Sequence, residues 1–200
     1  MSARIAPVKP PFSADTQAVF DRIMPPGAPP LALFTTLARD ARLFERLRAG
    51  SLLDKGHLTL RQREVVIDRV TALSGSEYEW GVHVAFFGKK AGLDAAMLDS
   101  LANGSADDPC WSFEDGLLIR ACDQLHAGSN IDDPLWAAMT TEFGEMALVE
   151  ILMLAGFYRT VSYLTNALRL PLESYGARFP TRRASGAGPP LNPWTSFPTS

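Results

Sequence analysis

The sequence predicts an all-α protein built from helical hairpins, with an extended N-terminal arm and a C-terminal tail. Apolar residues recur at spacings of three and four along most of the chain, and no long segment alternates with the period of a strand. Glycines and prolines separate these periodic segments. We therefore predict a proline-rich arm over residues 1–30, one helical domain over residues 31–175 and a tail without its own core over residues 176–200.

The arm and the start of the domain are divided by prolines and polar caps. Residues 13–24 lie between two proline clusters and predict a short helix, with Ser13 as its N-cap. Residues 31–49 carry apolar side chains at helical spacing. They predict a helix that breaks near Asp40.

A helical hairpin is predicted in the middle of the chain. The pattern Thr59-x-x-Gln62 is typical of a capping box, so the first helix begins at Thr59, and it ends at Gly75. The second helix is predicted over residues 76–91, because Gly92 stops it as a glycine after a helix C-terminus does. The short loop between the two helices predicts an antiparallel pair.

The second half of the chain predicts four more helices, over residues 94–101, 113–126, 133–139 and 145–168. The last of these is the longest and is apolar on most faces, so it is expected to lie centrally. Pro171 ends it, because proline cannot continue a helix.

Composition and charge argue against several classes of protein. The 200 residues carry a formal net charge of −3 without a dense basic run, so no nucleic-acid partner is expected. No apolar run approaches the ~20 residues that span a bilayer, and residues 1–11 lack the apolar core of a secretory signal. Cys110 and Cys122 form no C-x-x-C pair, and two lone cysteines without a signal peptide are expected to be reduced thiols. We expect a cytoplasmic protein with no membrane partner.

The most polar and aromatic helical segment spans residues 74–83. Ser76, Glu79 and His83 share one helix face, because they are three and four residues apart. A carboxylate four residues before an imidazole holds its tautomer and raises its pKa, which suits a general base or a proton relay. Ser76 lies at the helix N-terminus, where free N–H groups favour an anion.

A structural interpretation of the same residues is favoured when periodicity is considered alone. Ser76-x-x-Glu79 is also a capping box, and Glu79 and His83 also form a simple surface pair. A metal site is not expected, because His57 and His126 lack the spacing that would complete the three or four ligands it needs.

Two parts of the chain resemble a known superfamily. The residues that carry the resemblance are Arg63-Glu64 through Arg69-Val70-x-x-Leu73, Ser76-Glu77-Tyr78-Glu79-Trp80-x-x-His83, Ala91-Gly92-Leu93, Gly156-Phe157-Tyr158-Arg159, Asn166-Ala167-Leu168 and Pro171-Leu172-Glu173. They resemble a branch of longer proteins within the carboxymuconolactone decarboxylase superfamily. This superfamily also includes the alkyl hydroperoxidase D-like proteins. The resemblance implies a helical bundle of the alkyl hydroperoxidase D-like type.

The resemblance also assigns positions in the site. In the hydroperoxidase branch, Glu64 and His83 match the family's glutamate and histidine, but Ser76 and Glu79 stand where the two cysteines of its C-x-x-C would be. A dithiol peroxidase cycle needs both thiols, so the resemblance does not imply that activity here. In the decarboxylase branch, Glu77, Glu79 and His83 match a Glu-x-Glu-x-x-x-His motif of enzymes that act on a carboxylated lactone without a cofactor.

The first hypothesis is a cofactor-free enzyme that performs acid/base chemistry, such as decarboxylation or lactone conversion, on a small carboxylated molecule. His83 would donate or accept the proton. Glu79 would orient the imidazole of His83, and Glu64 would complete the proton relay. The predicted site residues are catalytic His83, Glu79 and Glu64 and substrate-binding Ser76, Tyr78 and Trp80. The alternatives are a peroxidase-related protein that has lost the dithiol and a non-catalytic ligand-binding or scaffold protein.

We predict a homo-oligomer. Proteins that this chain resembles form trimers or hexamers, and Trp194 and Phe197 are unusual in a solvated tail. The arm over residues 1–30 or the tail over residues 176–200 is expected to cross a subunit boundary. Light scattering over a range of concentrations tests this, and a mass that stays at that of one chain would contradict it.

Overall fold

The structure is a computed structural model that describes residues 2–181. Within this range it is helical, with no β-strand, which confirms the all-α prediction. Its helices are α1 (Ala14–Ile23), α2 (Ala32–Leu37), α3 (Ala41–Ala49), α4 (Leu60–Leu73), α5 (Glu77–His83), α6 (Ala95–Asn103), α7 (Phe113–Gly128), α8 (Asp133–Glu142) and α9 (Glu145–Leu168). A π-helical segment, Val84–Gly88, continues α5.

Polar caps set the boundaries of the first helices. The Asp40 carboxylate accepts from Leu43 N at 3.0 Å and begins α3, which explains the break between α2 and α3. At α4, Thr59 Oγ1 accepts from Gln62 N and Gln62 Oε1 accepts from Thr59 N, so the predicted capping box is formed. These boundaries follow from local chemistry that the sequence displays.

The helix after Gly75 differs from the prediction. It is α-helical as far as His83 and then widens into a π-helical turn, whereas an unbroken helix was expected over residues 76–91. Such π-helical turns inside helices occur frequently at functional sites. The chain leaves this region at Gly92, whose φ of +71° suits a residue without a Cβ.

Helix α4 lies at the centre of the bundle and packs against α5, α6, α7 and α9. Its apolar run, residues 65–67, is fully buried. Helix α9 packs along α4 and buries Leu148, Ile151 and Leu154 in the same core. The last helix, which was expected to lie centrally, instead packs on the central helix α4 with one face in the core.

Helix α9 has the length and the apolar composition of a membrane-spanning segment. One such helix is weak evidence for a membrane protein, since core helices of soluble proteins share both properties. Its inner face belongs to the core, while much of its outer face is exposed.

The arm lies on the body of its own chain. Arg4 N donates to Leu168 O at 2.9 Å, and Val8 N donates to Thr35 O at 3.2 Å. The ring of Phe20, on α1, is buried. The end of α1, at Ile23, lines the same cavity as His83.

The described part of the tail, residues 176–181, also contacts the body. Ala177 N donates to Gly81 O at 3.0 Å, and the Phe179 ring lies 5.0 Å from the Trp80 ring. A Cβ at Gly81 would lie 2.4 Å from Ala177 O, so this close approach requires glycine. Trp194 and Phe197 lie outside the described residues.

Candidate active site

His83 and Glu64 form a buried pair across the α4–α5 hairpin. His83 Nδ1 lies 2.8 Å from Glu64 Oε2, and both side chains are almost completely removed from solvent. Glu64 lies on α4, the central helix, whereas His83 is the last residue of α5. The hydrogen bond therefore ties the two helices together at the middle of the bundle.

Glu79 approaches the other nitrogen of the imidazole. It lies one turn before His83 on α5, and its Oε1 is 3.5 Å from His83 Nε2. This contact is at the limit of a hydrogen bond. The second oxygen of Glu79, Oε2, is buried and has no hydrogen-bond partner in the described structure. Glu64 is thus the close partner of His83, and Glu79 is the loosely held one.

Arg63 contacts Glu64 on the side that faces away from His83. Its Nε lies 3.0 Å from Glu64 Oε1, and its Nη1 donates to Leu53 O at 3.0 Å. The guanidinium also lies 5.4 Å from the centre of the Phe87 ring. A positive charge is therefore held against the Glu64 oxygen that faces away from His83.

The surroundings of His83 favour its charged form. Burial lowers the pKa of an imidazole, but the hydrogen bonds that His83 donates to Glu64 and Glu79, together with the negative charges of these carboxylates, outweigh burial and raise the pKa of His83 to about 10. His83 is consequently an imidazolium at neutral pH. Its two ring nitrogens then face the carboxylates of Glu64 and Glu79.

Asp68 is an acid that the sequence analysis did not single out. It lies one turn after Glu64 on α4, is fully buried, and neither of its oxygens has a hydrogen-bond partner in the described structure. Burial raises the pKa of Asp68 well above its usual value; the positive charge of His83 opposes this, and the charges of Glu64 and Glu79 add to it. Its position within the apolar run of α4 was the available sequence signal.

A cavity of about 400 Å³ opens in front of the cluster. Its polar wall includes Glu79, His83 and Tyr158, and the rest is mainly apolar. The His83 ring contacts Tyr158 edge-on, with the ring centres 4.9 Å apart. The remaining wall comes from the end of α1, from α2 and α3, from the π-helical segment and from α9. A cavity of this size and lining suits a small organic molecule.

The three residues predicted to bind substrate do not line this cavity. Ser76 Oγ is 2.8 Å from Thr165 Oγ1, and the Tyr78 hydroxyl donates to Glu173 at 2.5 Å while accepting from the backbone of α2. Trp80 packs against the tail. Their contacts hold α5 against its neighbours. The aromatic wall is formed instead by side chains that come together from distant parts of the chain: Phe34, Phe86, Phe87, Phe157 and Tyr158.

The structure also revises the predicted roles. Glu64, rather than Glu79, orients His83, because it has the shorter contact and is the more deeply buried. Glu77 accepts from Phe179 N at 3.1 Å, so this member of the Glu-x-Glu-x-x-x-His pattern bonds the tail. The alternative capping box at Ser76 is wrong, since the Ser76 side chain caps no backbone N–H of α5.

The two cysteines are remote from the cavity. Cys122 is buried in the core, and burial, with a smaller contribution from Asp123, raises the pKa of its thiol to about 12. Cys110 is half-buried, and neither cysteine is part of the cavity lining. Within residues 2–181, no three His, Cys, Asp or Glu side chains are grouped so as to hold a metal ion.

Comparison with known proteins supports the superfamily. Residues 41–113 match the carboxymuconolactone decarboxylase family. No curated protein matches the chain significantly. An uncharacterized peroxidase-related protein from Silicibacter sp. TM1040 has a similar structure, with a TM-score of 0.76 at 14% identity over 88% of this chain and 97% of its own.

Two further solved structures share the fold. The alkylhydroperoxidase AhpD core of an uncharacterized peroxidase-related protein from Ralstonia eutropha JMP134 has a TM-score of 0.67 at 17% identity, over 86% of this chain and 95% of its own. A variant of the debrominase Bmp8 in complex with 2,3,4-tribromopyrrole has a TM-score of 0.67 at 10% identity, over 88% and 94%. The family match confirms the resemblance to the carboxymuconolactone decarboxylase family over residues 41–113, and these structures confirm the alkyl hydroperoxidase D-like fold predicted from the sequence.

Glu64→Gln should lower the pKa of His83 by about one to two pH units, since a hydrogen bond to a charged group contributes roughly 1.5–3 kcal/mol. NMR titration of the imidazole signals measures this shift, with His57 and His126 as internal references. Glu77→Gln is the matched control, because Glu77 bonds the tail. Identical His83 curves in the native protein and Glu64→Gln would exclude Glu64 from the site.

The same shift determines a pH dependence of stability. Because the folded pKa of His83, about 10, lies above the ordinary 6.5, its contribution to the free energy of unfolding is complete below 6.5. That contribution falls as the pH rises and is lost by about 10. Denaturant unfolding at several pH values should show a smaller decline for Glu64→Gln than for the native protein.

Asp68→Asn tests the buried acid. Because burial raises the pKa of Asp68 in the folded protein, native stability falls as the pH rises above the ordinary pKa of 3.8. As the pH rises from that value, the variant, which has no titrating carboxyl at this position, should gain stability relative to the native protein by up to about 1.4 kcal/mol per pH unit. Asp54→Asn, at an exposed position, is the control and should show no such trend.

Proposed function

Because this chain carries the carboxymuconolactone decarboxylase family sequence on an alkyl hydroperoxidase D-like fold, we propose that it is a cofactor-free enzyme. In this proposal it performs acid/base chemistry, such as decarboxylation or lactone conversion, on a small carboxylated organic molecule. The observation that carries the proposal is the placement of His83 between Glu64 and Glu79 at the wall of a largely apolar cavity.

The proposed proton transfer starts from the imidazolium. Glu64 holds Nδ1–H at 2.8 Å, so the ring is fixed with Nε2–H directed to the side of Glu79 and the cavity. The longer contact to Glu79 is the weaker one, and a substrate atom can replace it without loss of the Glu64 bond. His83 then acts as general acid, and Glu79 returns a proton from water to it.

In a decarboxylation, the bond between the substrate carbon and its carboxylate breaks, and the electron pair stays on the carbon as CO₂ leaves. A conjugated carbonyl of the substrate accepts this negative charge. His83 Nε2–H protonates the carbon, so the proton of the imidazolium replaces the lost CO₂. The apolar wall favours this step, because the negative charge of the carboxylate is poorly solvated there.

Charge at the cavity supports a carboxylated substrate. Lys90 and Arg48 both contribute to the lining, and the Lys90 ammonium lies 5.9 Å from the centre of the Phe87 ring. Arg48 is paired with Glu45 in the structure. The two cations are able to attract an anionic molecule, while Glu79 disfavours a carboxylate placed directly at His83.

The peroxidase-related alternative has support from the fold and from the description of two similar structures as peroxidase-related. It lacks support from the thiols, because a C-x-x-C is absent from the sequence and neither cysteine reaches the cavity. The similar debrominase structure holds 2,3,4-tribromopyrrole, so small halogenated rings belong in a substrate screen. If molecules of the screen bind and none of them reacts, the result supports the third hypothesis, a ligand-binding protein without catalysis.

The proposal predicts turnover that depends on the buried cluster. Carboxylated lactones derived from aromatic compounds, halogenated pyrroles and organic hydroperoxides form the screen. For a substrate found among the carboxylated lactones, His83→Ala and Glu79→Gln should lower kcat/KM by about 10²–10⁴-fold, the usual contribution of a general acid or base. Glu142→Gln, an exposed carboxylate on α8, is the matched control.

The hydroperoxide arm of the screen separates the two enzyme hypotheses. The native protein should show no dithiol-dependent reduction of alkyl hydroperoxides. A rapid reduction that disappears in Cys110→Ser or Cys122→Ser would contradict the proposal and support a relocated thiol site. Turnover of a lactone that survives in His83→Ala would remove the imidazole from the mechanism.

A further inference from the structure

Tyr158 is a buried phenol at the cavity wall, and the proton transfer described above does not use it. The residue lies on the inner face of α9, is 1% exposed and lines the cavity together with His83. Its backbone carbonyl accepts from Ser162 Oγ at 2.8 Å, whereas its hydroxyl has no hydrogen-bond partner within residues 2–181. Buried tyrosine hydroxyls usually have a partner, so this one is available to a molecule in the cavity.

The hydroxyl of Tyr158 lies close to the acidic cluster. The Tyr158 ring meets the His83 ring edge-on, with the ring centres 4.9 Å apart. Among the charged side chains, Glu79 and Glu64 act most strongly on the hydroxyl, which places it near both carboxylates. Burial, and then these two charges, raise the pKa of Tyr158 well above its ordinary value of 10. The phenol is therefore protonated at neutral pH and is able to donate a hydrogen bond.

The other polar side chains of the cavity wall are less suited to this role. An ionised carboxylate such as Glu79 only accepts hydrogen bonds, and the proposed mechanism uses the His83 proton at the substrate carbon. The remaining polar residues of the lining are all more exposed than Tyr158: Arg48, Ser51 and Lys90. In the part of the chain that the structure describes, Tyr158 is thus the buried neutral donor of this cavity.

We propose that the Tyr158 hydroxyl holds the oxygen of a planar ring oxyanion, an enolate or a phenolate, with the imidazolium of His83 beside the same ring. The catalytic part of this inference rests on the proposed function and deepens it. It adds the group that receives the negative charge during the reaction, and it names planar ring oxyanions as the class of ligand.

The shape of the wall suits a flat ring. The rings of Phe86 and Phe87 lie 6.2 Å apart, and the Phe87 ring lies 5.4 Å from the His83 ring. Phe34 and Phe157 add aromatic surface to the lining. Aromatic side chains pack well on a conjugated ring and offer no competing hydrogen bond. The few polar groups of the wall therefore set the orientation of the ring.

The hydroxyl completes the electron path of the proposed decarboxylation. When the bond to the carboxylate breaks, its electron pair moves through the conjugated system to the carbonyl oxygen, which becomes an enolate oxyanion. Tyr158 donates a hydrogen bond to this oxygen and keeps its own proton. His83 Nε2–H then protonates the carbon, and the carbonyl group is restored. Because the charge develops on the oxygen as CO₂ leaves, this donor stabilises the transition state more than the bound substrate.

Equilibrium binding of a phenolate tests the oxyanion site without turnover. The probe is 4-nitrophenol, whose phenolate form has its own absorption band, and nitrobenzene is the matched ring without an oxyanion. In the native protein the phenolate band should appear at a lower pH than for the free probe. Tyr158→Phe should weaken phenolate binding about 10- to 100-fold, the usual contribution of a hydrogen bond to a charged group. It should bind nitrobenzene as the native protein does.

Controls separate the hydroxyl from packing and from other cations. Tyr163→Phe, at an exposed position on the same helix, should leave the binding of both probes unchanged. The proposal is overturned if the native protein binds no phenolate, or if Tyr158→Phe binds it equally well. Loss of both probes in Tyr158→Phe would show a packing role and contradict the proposal. So would a loss of phenolate binding confined to Lys90→Gln, because the oxyanion would then lie at an exposed cation.

Kinetics separate this inference from the proposed function. For a carboxylated lactone that the native protein converts, Tyr158→Phe should lower kcat by about 10²–10³-fold with little change in KM, as the loss of one oxyanion donor does. An unchanged kcat would contradict the catalytic role of Tyr158. If no lactone reacts but phenolate binding still depends on the Tyr158 hydroxyl, the decarboxylation proposal fails and the oxyanion site is supported.

Discussion

The pairing of His83 with Glu64 is the interaction on which the rest of the candidate site depends. Both side chains are removed from water, so each charge is tolerated because the other is present. Removing one partner of such a buried pair typically costs about 3–5 kcal/mol, because the other charge is left without compensation. The pair also fixes the register of α4 against α5 and directs the remaining nitrogen of His83 towards Glu79 and the cavity.

The groups around this pair act on its two charges in opposite directions. Arg63 supplies positive charge to Glu64, and Glu79 adds a second negative charge near the imidazole. Asp68, one turn away, has no hydrogen-bond partner among the described residues, and burial raises its pKa, because a further negative charge in this dry region is unfavourable. The same buried region thus favours the neutral form of one acid and the charged form of one base.

The cavity in front of His83 comes from segments that are distant in sequence. The arm closes one side of the cavity with the end of α1. Helices α2 and α3 supply part of the apolar wall, and α9 supplies Tyr158. The π-helical turn after His83 adds Phe86 and Phe87. The arm thus forms part of the cavity wall within its own chain.

The sequence by itself determined most of the helices and the Glu64, Glu79 and His83 members of the candidate cluster, because the patterns that indicate them extend over short stretches of chain. The capping box at Thr59 and the four-residue spacing of Glu79 and His83 are local patterns that survive in the fold. Tertiary structure decided which glutamate holds His83, that Ser76 bonds Thr165 away from the cavity, and which side chains line the cavity. These contacts join different helices, and periodicity within one helix carries no information about which neighbour its faces will meet.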